Sequence, residues 1–564
     1  MSEAKRKLDL VLLWHMHQPD YRDHATGEFR RPWTYLHALK DYTDMVAHLE
    51  RHPEVRAVVN FVPVLLDQIE DYVRQFDAWN FRDPLLRLLA RDDLDSLDLH
   101  ERKFLLSTCF PGNHAGMVQP FPRFERLHSL YRPLEGQGDA ALDYFSGSYF
   151  ADLMMWYHLA WSGETERRSR PLLVELMSRG EGFTREDRRR LLAFFGETLR
   201  RLIPRYRALA GRGQIELSAT PHTHPLAPLM LDFASAREAR PDMVLPLSHG
   251  YPGGRSRIDS QISLARDSHA ARFGDAPRGM WPAEGALSTA FLQQLAAHGC
   301  RWAASSEAVL ANSLRRGELP PRRHYLYRPW QTGAAPGITV FFRDEKLSDL
   351  IGFEYAKWHG RDAAQHFVLQ LEKIRDEAHE GETPLVCVIL DGENAWEYYP
   401  YNAYFFFEDL YSLLAAQLWI NTTTCTDWLE RNPARAGTLP ALVAGSWVYG
   451  TMSTWIGDPD KNRAWDLLCA AKQAFDIVMD SGRLDPAARQ AAEAQLAVCE
   501  GSDWFWWFGD YNPRDAVESF DALFRANLAH LYRLLRLPEP PQLAVPLSHG
   551  GGTAEAGGTM RRAS

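Results

Sequence analysis

Four short stretches of this chain carry acids or histidines at the ends of apolar runs, where a charge costs free energy unless it is partnered or used. In "LVLLWHMHQPDY", His15 and His17 sit two apart at the close of such a run. In an extended strand that spacing turns both rings to one face. The stretch "GQIELSATPHTHPL" repeats the pattern, with Glu216 inside the run and His222 and His224 beyond it. "GMWPAEGALS" offers Glu284 just after Trp281 and Pro282. In "PLVCVILDGENAWEYYP", the apolar residues Leu385 to Leu390 stop on Asp391, Gly392 and Glu393, and Trp396 follows with tyrosines around it.

Three chemistries suit these residues. Two carboxylates at two strand ends suit glycoside cleavage, in which one acid attacks the anomeric carbon and the other handles the proton of the leaving oxygen. Two HxH pairs with a late aspartate suit zinc and a zinc-activated water. A non-catalytic glucan-binding scaffold would keep the aromatic residues without needing the acids. Glu284, Asp391 and Glu393 also have a plainer reading, as carboxylates near a helix N-terminus, where the dipole favours them; the stretch with Glu216 also reads as a polar turn stopped by Pro221 and Pro225.

The elements that must position these groups follow from the hydrophobic pattern. Strands are expected at Leu8–Trp14, Ala57–Val62, Gln214–Ala219, Cys300–Ser305, Ile338–Phe342 and Leu385–Leu390. Helical periodicity lies between them at Thr34–Glu50, Arg185–Ala210 (with Pro204 as a kink or break), Ile258–Arg272 and Thr289–His298. Strand, long helix and strand again is the pattern of parallel α/β architecture. Chemistry gathered at strand ends favours a β/α barrel, whose active site lies at the carboxyl ends of its strands. Residues 1–400 are therefore read as a catalytic barrel, with Ser96–Gly180 as loops and short helices over its mouth. Residues 401–536 are read as a helical region, with helices at Tyr404–Trp419, Asn462–Asp480, Asp485–Cys499 and Asp515–Leu535. Residues 537–564, rich in Pro and then Gly, are read as a disordered tail.

Composition narrows the function. A formal charge of −10 over 564 residues argues against a nucleic-acid footprint. No run approaches the roughly 18 apolar residues of a membrane span. The six cysteines are scattered and form no CxxC pair, so no zinc ribbon or disulfide framework is expected. The chain is read as cytoplasmic. Its 18 tryptophans fit a large core, and equally the stacking of sugar rings on flat faces.

Taken together and in order, these motifs resemble glycoside hydrolase family 57. "HQP" at His17–Pro19 is similar to its first-strand motif, "GQIELSATPHTHPL" to its second region, "WPAEGA" to its third and "ILDGENAWE" to its fourth; "TMSTWIGDPDKNRAW" resembles a more variable fifth. The resemblance runs from about Leu8 to Leu535. "HGYPGGRSRIDSQI", "FRDEKLSDLIGF" and "GSDWFWWFGD" resemble the amylase and amylopullulanase-like branch. It implies a (β/α)7 barrel followed by helices, acting on α-glucans or malto-oligosaccharides by a retaining mechanism, without an organic cofactor. It also implies Glu284 as nucleophile and Asp391 as acid/base. Glu216 and His224 carry over as substrate-binding residues, as do His15 and His17, which would hydrogen-bond sugar hydroxyls. Trp281, Trp396, Trp447, Trp455, Trp504 and Trp506 are the expected stacking platforms. Metal ligands are not expected, and nothing resembles an EF-hand loop. Hydrolysis, glucanotransfer and branching all occur in such a family; hydrolysis is the expectation here.

Overall fold

The computed structural model describes residues 6–110, 113–315 and 319–552. Seven parallel strands curl into an α/β barrel: β1 (Leu8–Met16), β2 (Ala57–Phe61), β3 (Ile215–Ala219), β4 (Gly279–Met280), β5 (Trp302–Ser306), β6 (Thr339–Arg343) and β7 (Leu385–Asp391). Their order in the sheet is β7, β1, β2, β3, β4, β5, β6. At the remaining side, the Asp344 N–H donates to the Cys387 carbonyl at 2.7 Å and Arg343 Nε to the Ile389 carbonyl at 2.8 Å, drawing β6 towards β7.

Strands covered on both faces read as continuous apolar runs, which is why β1 and β7 do not alternate in polarity. They still alternate in direction. Val11 and Leu13 of β1, Val58 of β2 and Leu385, Cys387 and Ile389 of β7 share the barrel interior with Trp302 and Phe341. Leu10, Leu12, Trp14, Val386, Val388 and Leu390 instead pack with the surrounding helices. Continuing the inward parity one step past the apolar plug reaches His15 and Asp391, which lie opposite each other in the β1–β7 register. The same parity carries Asn60 of β2 and Arg343 of β6 inward at the carboxyl ends.

Several expectations are corrected. The boundary at residue 400 does not hold, because Ile420–Thr423 pairs in parallel with Leu8–Val11 of β1. The following helix, Cys425–Arg431, brings Cys425 and Trp428 into the barrel interior. Farther on, Gly437–Leu439 pairs with Trp330–Thr332, which in turn runs antiparallel to β6. The helix Arg185–Gly211 passes through Pro204 unbroken. Pro204 lies on its exposed face, where water can satisfy the freed carbonyl. The stretch expected as loops over the mouth contains substantial helices, among them Leu99–Cys109, Pro122–Tyr131, Gly147–Ala160 and Pro171–Arg179.

After the barrel come the helices Pro459–Asp480, Pro486–Cys499 and Arg514–Leu534. The start of the expected disordered tail is laid against them instead. Leu543 and Leu547 are buried, and Asp521 accepts the Leu547 N–H at 2.8 Å. Residues 553–564 of that tail lie outside the described residues. All six cysteines are free and buried. Among the described residues no helix is long and apolar enough to cross a membrane.

Candidate active site

Glu284 sits just past β4, in a short turn, with a left-handed backbone at φ 58°. A residue with a side chain adopts that conformation only when its surroundings hold it there. Trp447 does the holding: its backbone N–H donates to the Glu284 carbonyl at 3.0 Å, and its indole Nε1 donates to Glu284 Oε2 at 2.9 Å. The Trp447 ring lies 5.1 Å from that of Trp281 and 5.8 Å from the Arg343 guanidinium.

Asp391 ends β7 and accepts from Asn394 Nδ2 at 2.8 Å. Gly392 then donates its N–H to the His15 carbonyl at 2.7 Å, and a Cβ at Gly392 would overlap the Met16 sulfur. Only glycine lets the chain turn this closely over β1. Glu393 is buried behind it. Its Oε1 takes a 3.4 Å bond from Gln18, and its Oε2 has no partner.

Three histidines lie beside these acids. His15 Nδ1 pairs with Asn60 Oδ1 at 2.7 Å, His17 Nε2 with Asp503 Oδ1 at 2.8 Å, and His224 Nδ1 with Ser502 Oγ at 2.7 Å. The His17 and His224 rings stack at 3.8 Å, with His15 5.4 Å from His224. His17 Nδ1 and His224 Nε2 are buried without partners. Orphaned buried polar groups are costly, so these nitrogens gain most from a hydroxyl-rich ligand.

Burial dominates the electrostatics. It pushes the Glu284 carboxyl up to about 8, helped by the nearby charges of Asp391 and Asp503 and opposed by the Trp447 indole. It also raises Asp391, against the bond from Asn394 and the positive fields of His17 and Arg343. Glu393 is driven well above the usual carboxylate range, by burial first and then by Asp391. Burial and His17 hold His15 down at about 3, and the same two causes, with His15 added, keep His224 well below the ordinary range.

Several expected site residues lie elsewhere. Glu216 points into the amino end of the barrel, where Trp302 Nε1 donates at 2.7 Å and the Thr426 N–H and hydroxyl donate at 2.9 and 2.6 Å. It is a satisfied internal carboxylate, away from the strand ends that carry Glu284 and Asp391. Trp396 is a core residue, edge-on to Trp14 and Phe407. Trp504 packs with Phe520 and Phe524. Trp455 is fully buried, 6.0 Å ring to ring from the half-buried Trp506. Trp281 is also fully buried, 6.0 Å from His15, and closes the floor of the site. Neither HxH pair acts as a unit: His15 is taken by Asn60, and His222 turns away to Asp67. One histidine from each pair does meet an acid, because His17, His224 and Asp503 offer ligand atoms within 4.8 Å of one another.

Asn60, Arg343, Ser502 and Asp503 are the members that sequence reasoning missed. Inward parity on β2 and β6 was the available signal for the first two. For Ser502 and Asp503 it was the pair of polar residues opening the aromatic run "SDWFWWF".

Ser502 and Asp503 reach the barrel because the preceding residue is anchored. Glu500 is fully buried and binds Arg257 through both oxygens at 2.6 and 2.9 Å. Tyr251 and Gln261 donate to it at 2.7 and 2.8 Å. Gln261 also accepts the Thr223 N–H at 3.0 Å, and the Ser502 N–H donates to the His224 carbonyl at 2.9 Å. The post-β3 turn and the helical region are thereby fixed to each other.

The model of glycosyl hydrolase family 57 matches residues 11–440. Among solved structures, a GH57-type branching enzyme from Pyrococcus horikoshii aligns at a TM-score of 0.59 and 16% identity, over 94% of this chain and 89% of that one. The α-amylase AmyC from Thermotoga maritima aligns at 0.55 and 13% identity, over 95% and 94%. A 4-α-glucanotransferase from Thermococcus litoralis aligns at 0.52 and 14% identity, over 94% and 60%. At these identities the likeness is one of fold. No curated protein matches the sequence.

Proposed function

The chain belongs to glycosyl hydrolase family 57, and we propose that it hydrolyses α-1,4-glucans by a retaining mechanism, with Glu284 as nucleophile and Asp391 as acid/base. The observation that carries this reading is the pairing of two half-buried carboxylates from two strand ends. They lie close enough for the charge of Asp391 to raise Glu284. A family shared with an amylase, a branching enzyme and a glucanotransferase supports the substrate class.

In the first step a Glu284 oxygen bonds to the anomeric carbon while the glycosidic C–O bond breaks, and Asp391 gives its proton to the departing oxygen. In the second, Asp391 takes a proton from water, the water oxygen attacks the same carbon, and Glu284 leaves. The step needs Glu284 ionised and Asp391 protonated. Burial raises both acids, Glu284 to about 8, while His17 and Arg343 act only against the rise of Asp391. The rise of Asp391 suits an acid, whereas that of Glu284 opposes its role as nucleophile. Substrate supplies the correction. A glycosidic oxygen beside Asp391 accepts its proton, and growing positive charge at the anomeric carbon favours the Glu284 anion, which Trp447 holds by a hydrogen bond. His17 and His224 would bind sugar hydroxyls through their unpartnered nitrogens. We read the location as cytoplasmic, in keeping with six reduced, buried cysteines.

The test is chromatography of the products from maltoheptaose, with and without EDTA. Rising reducing ends with only shorter products support hydrolysis. Longer oligosaccharides at constant reducing ends would replace it with transfer. Activity lost to EDTA but kept by Glu284→Gln would move the chemistry to a metal at His17, His224 and Asp503.

A further inference from the structure

A second cluster of metal-ligating side chains lies outside the barrel. On the helix Pro122–Tyr131, Glu125 and His128 are three residues apart and so share a face. The short helix His114–Met117 is capped by Asn113, whose Oδ1 accepts the Gly116 N–H at 3.1 Å. This turn brings His114 against the same face. His114 Nε2 approaches Glu125 Oε2 to 2.6 Å, and the His114 and His128 rings lie 4.4 Å apart at 47°.

An ion pair accounts for His114 and Glu125 but not for the second imidazole, His128. Glu125 Oε2 is buried and makes no hydrogen bond, although an imidazole nitrogen is within reach. The nitrogen therefore lies off the line a hydrogen bond needs. A second imidazole, instead of a lysine or arginine, completes the group. One ligand atom from each of the three lies within 4.8 Å of the others. Donors around a tetrahedral zinc at about 2.0–2.1 Å stand roughly 3.4 Å apart. Partly exposed side chains can close that difference by rotation.

We propose that His114, Glu125 and His128 form a zinc-binding site, with water in the fourth position. Two imidazoles and one carboxylate select a borderline ion such as zinc over calcium or magnesium, which prefer oxygen alone. The ion would tie the 113–117 turn to the Pro122–Tyr131 helix. That turn already touches the segment after Asp391, since Asn113 Nδ2 donates to the Glu397 carbonyl at 3.0 Å. The site thus braces the wall of the barrel mouth and takes no part in the chemistry.

The test uses the full chain, stripped with chelator, incubated with zinc sulfate, desalted and analysed for zinc per chain. The H114Q/H128Q variant should hold one equivalent less than the wild type, while H224Q, altered only at the barrel cluster, should keep this equivalent. Glu125→Gln should weaken binding by at least about tenfold, given that even outer-shell changes cost 10–100-fold. It also stands in should the double variant fail to fold. Cobalt(II) reports geometry: a strong visible band in the wild type and H224Q, lost in H114Q/H128Q, fits a tetrahedral site at these residues. A wild type without zinc, or an H114Q/H128Q protein holding as much as the wild type, overturns the proposal.

Discussion

Glu284 is held in a left-handed turn with its carboxyl raised, at a cost to stability. Its carboxyl stands at about 8 in the folded chain against an ordinary 4.5. Between those values the folded state binds more protons than the unfolded state, so stability falls as pH rises through the window. Glu284→Gln removes that cost. The variant should lose at least about 10³-fold in turnover. It should also be more stable to denaturant than the wild type at pH 8.5, by a few kcal/mol at most, with the gain shrinking towards pH 4.5. A variant keeping a few per cent of activity would remove Glu284 from the nucleophile role. Asp391→Asn should fail mainly on poor leaving groups and retain more rate on an activated aryl glycoside. Because the charge of Asp391 helps to raise Glu284, the acidic limb of its residual pH profile should move to lower pH. An unmoved limb would mean that the two carboxylates are not coupled.

At the scale of elements, the link between the post-β3 turn and the helical region combines a buried Arg257–Glu500 ion pair with hydrogen bonds from Thr223, His224 and Ser502. Removing one member of such a pair costs about 3–5 kcal/mol, because the other charge is left uncompensated. Glu500→Gln should therefore lower denaturant stability by that order. It should also reduce kcat, because Ser502 and Asp503 lose their register against His224 and His17. A variant with wild-type stability would show that the anchor is dispensable. Legibility from sequence also divides by element. β1 and β7 were readable because each is a long apolar run ending on polar residues of one parity. β4 has two residues, and Pro282 follows it closely, so it has no run to read. The strand Ile420–Thr423 is short and polar, and only its distant partner Leu8–Val11 makes it a strand. Glu216 was misplaced because an acid inside a strand signals a functional group and an internal hydrogen-bond acceptor alike. The tryptophans failed similarly: composition cannot separate Trp447, on Glu284, from Trp396, in the core.

Among the described residues, the barrel and the site are built from sequence-distant parts. The barrel takes a strand from beyond residue 400, and the site takes Trp447, Ser502 and Asp503 from beyond residue 440, where the family match ends. A fragment of residues 1–440 should accordingly be insoluble or bind hydrophobic dyes, and it should show no activity on maltoheptaose. A soluble, active fragment would mean that the helical region is an appendage.

The proposed covalent intermediate on Glu284 can be trapped. The Asp391→Asn protein would be treated with an activated maltosyl fluoride, digested and sequenced by mass spectrometry. One added maltosyl mass, that of two glucose units, is expected on the peptide carrying Glu284 and absent when Glu284→Gln is added. An unmodified Glu284 peptide, with product released in the inverted anomeric form, would contradict it.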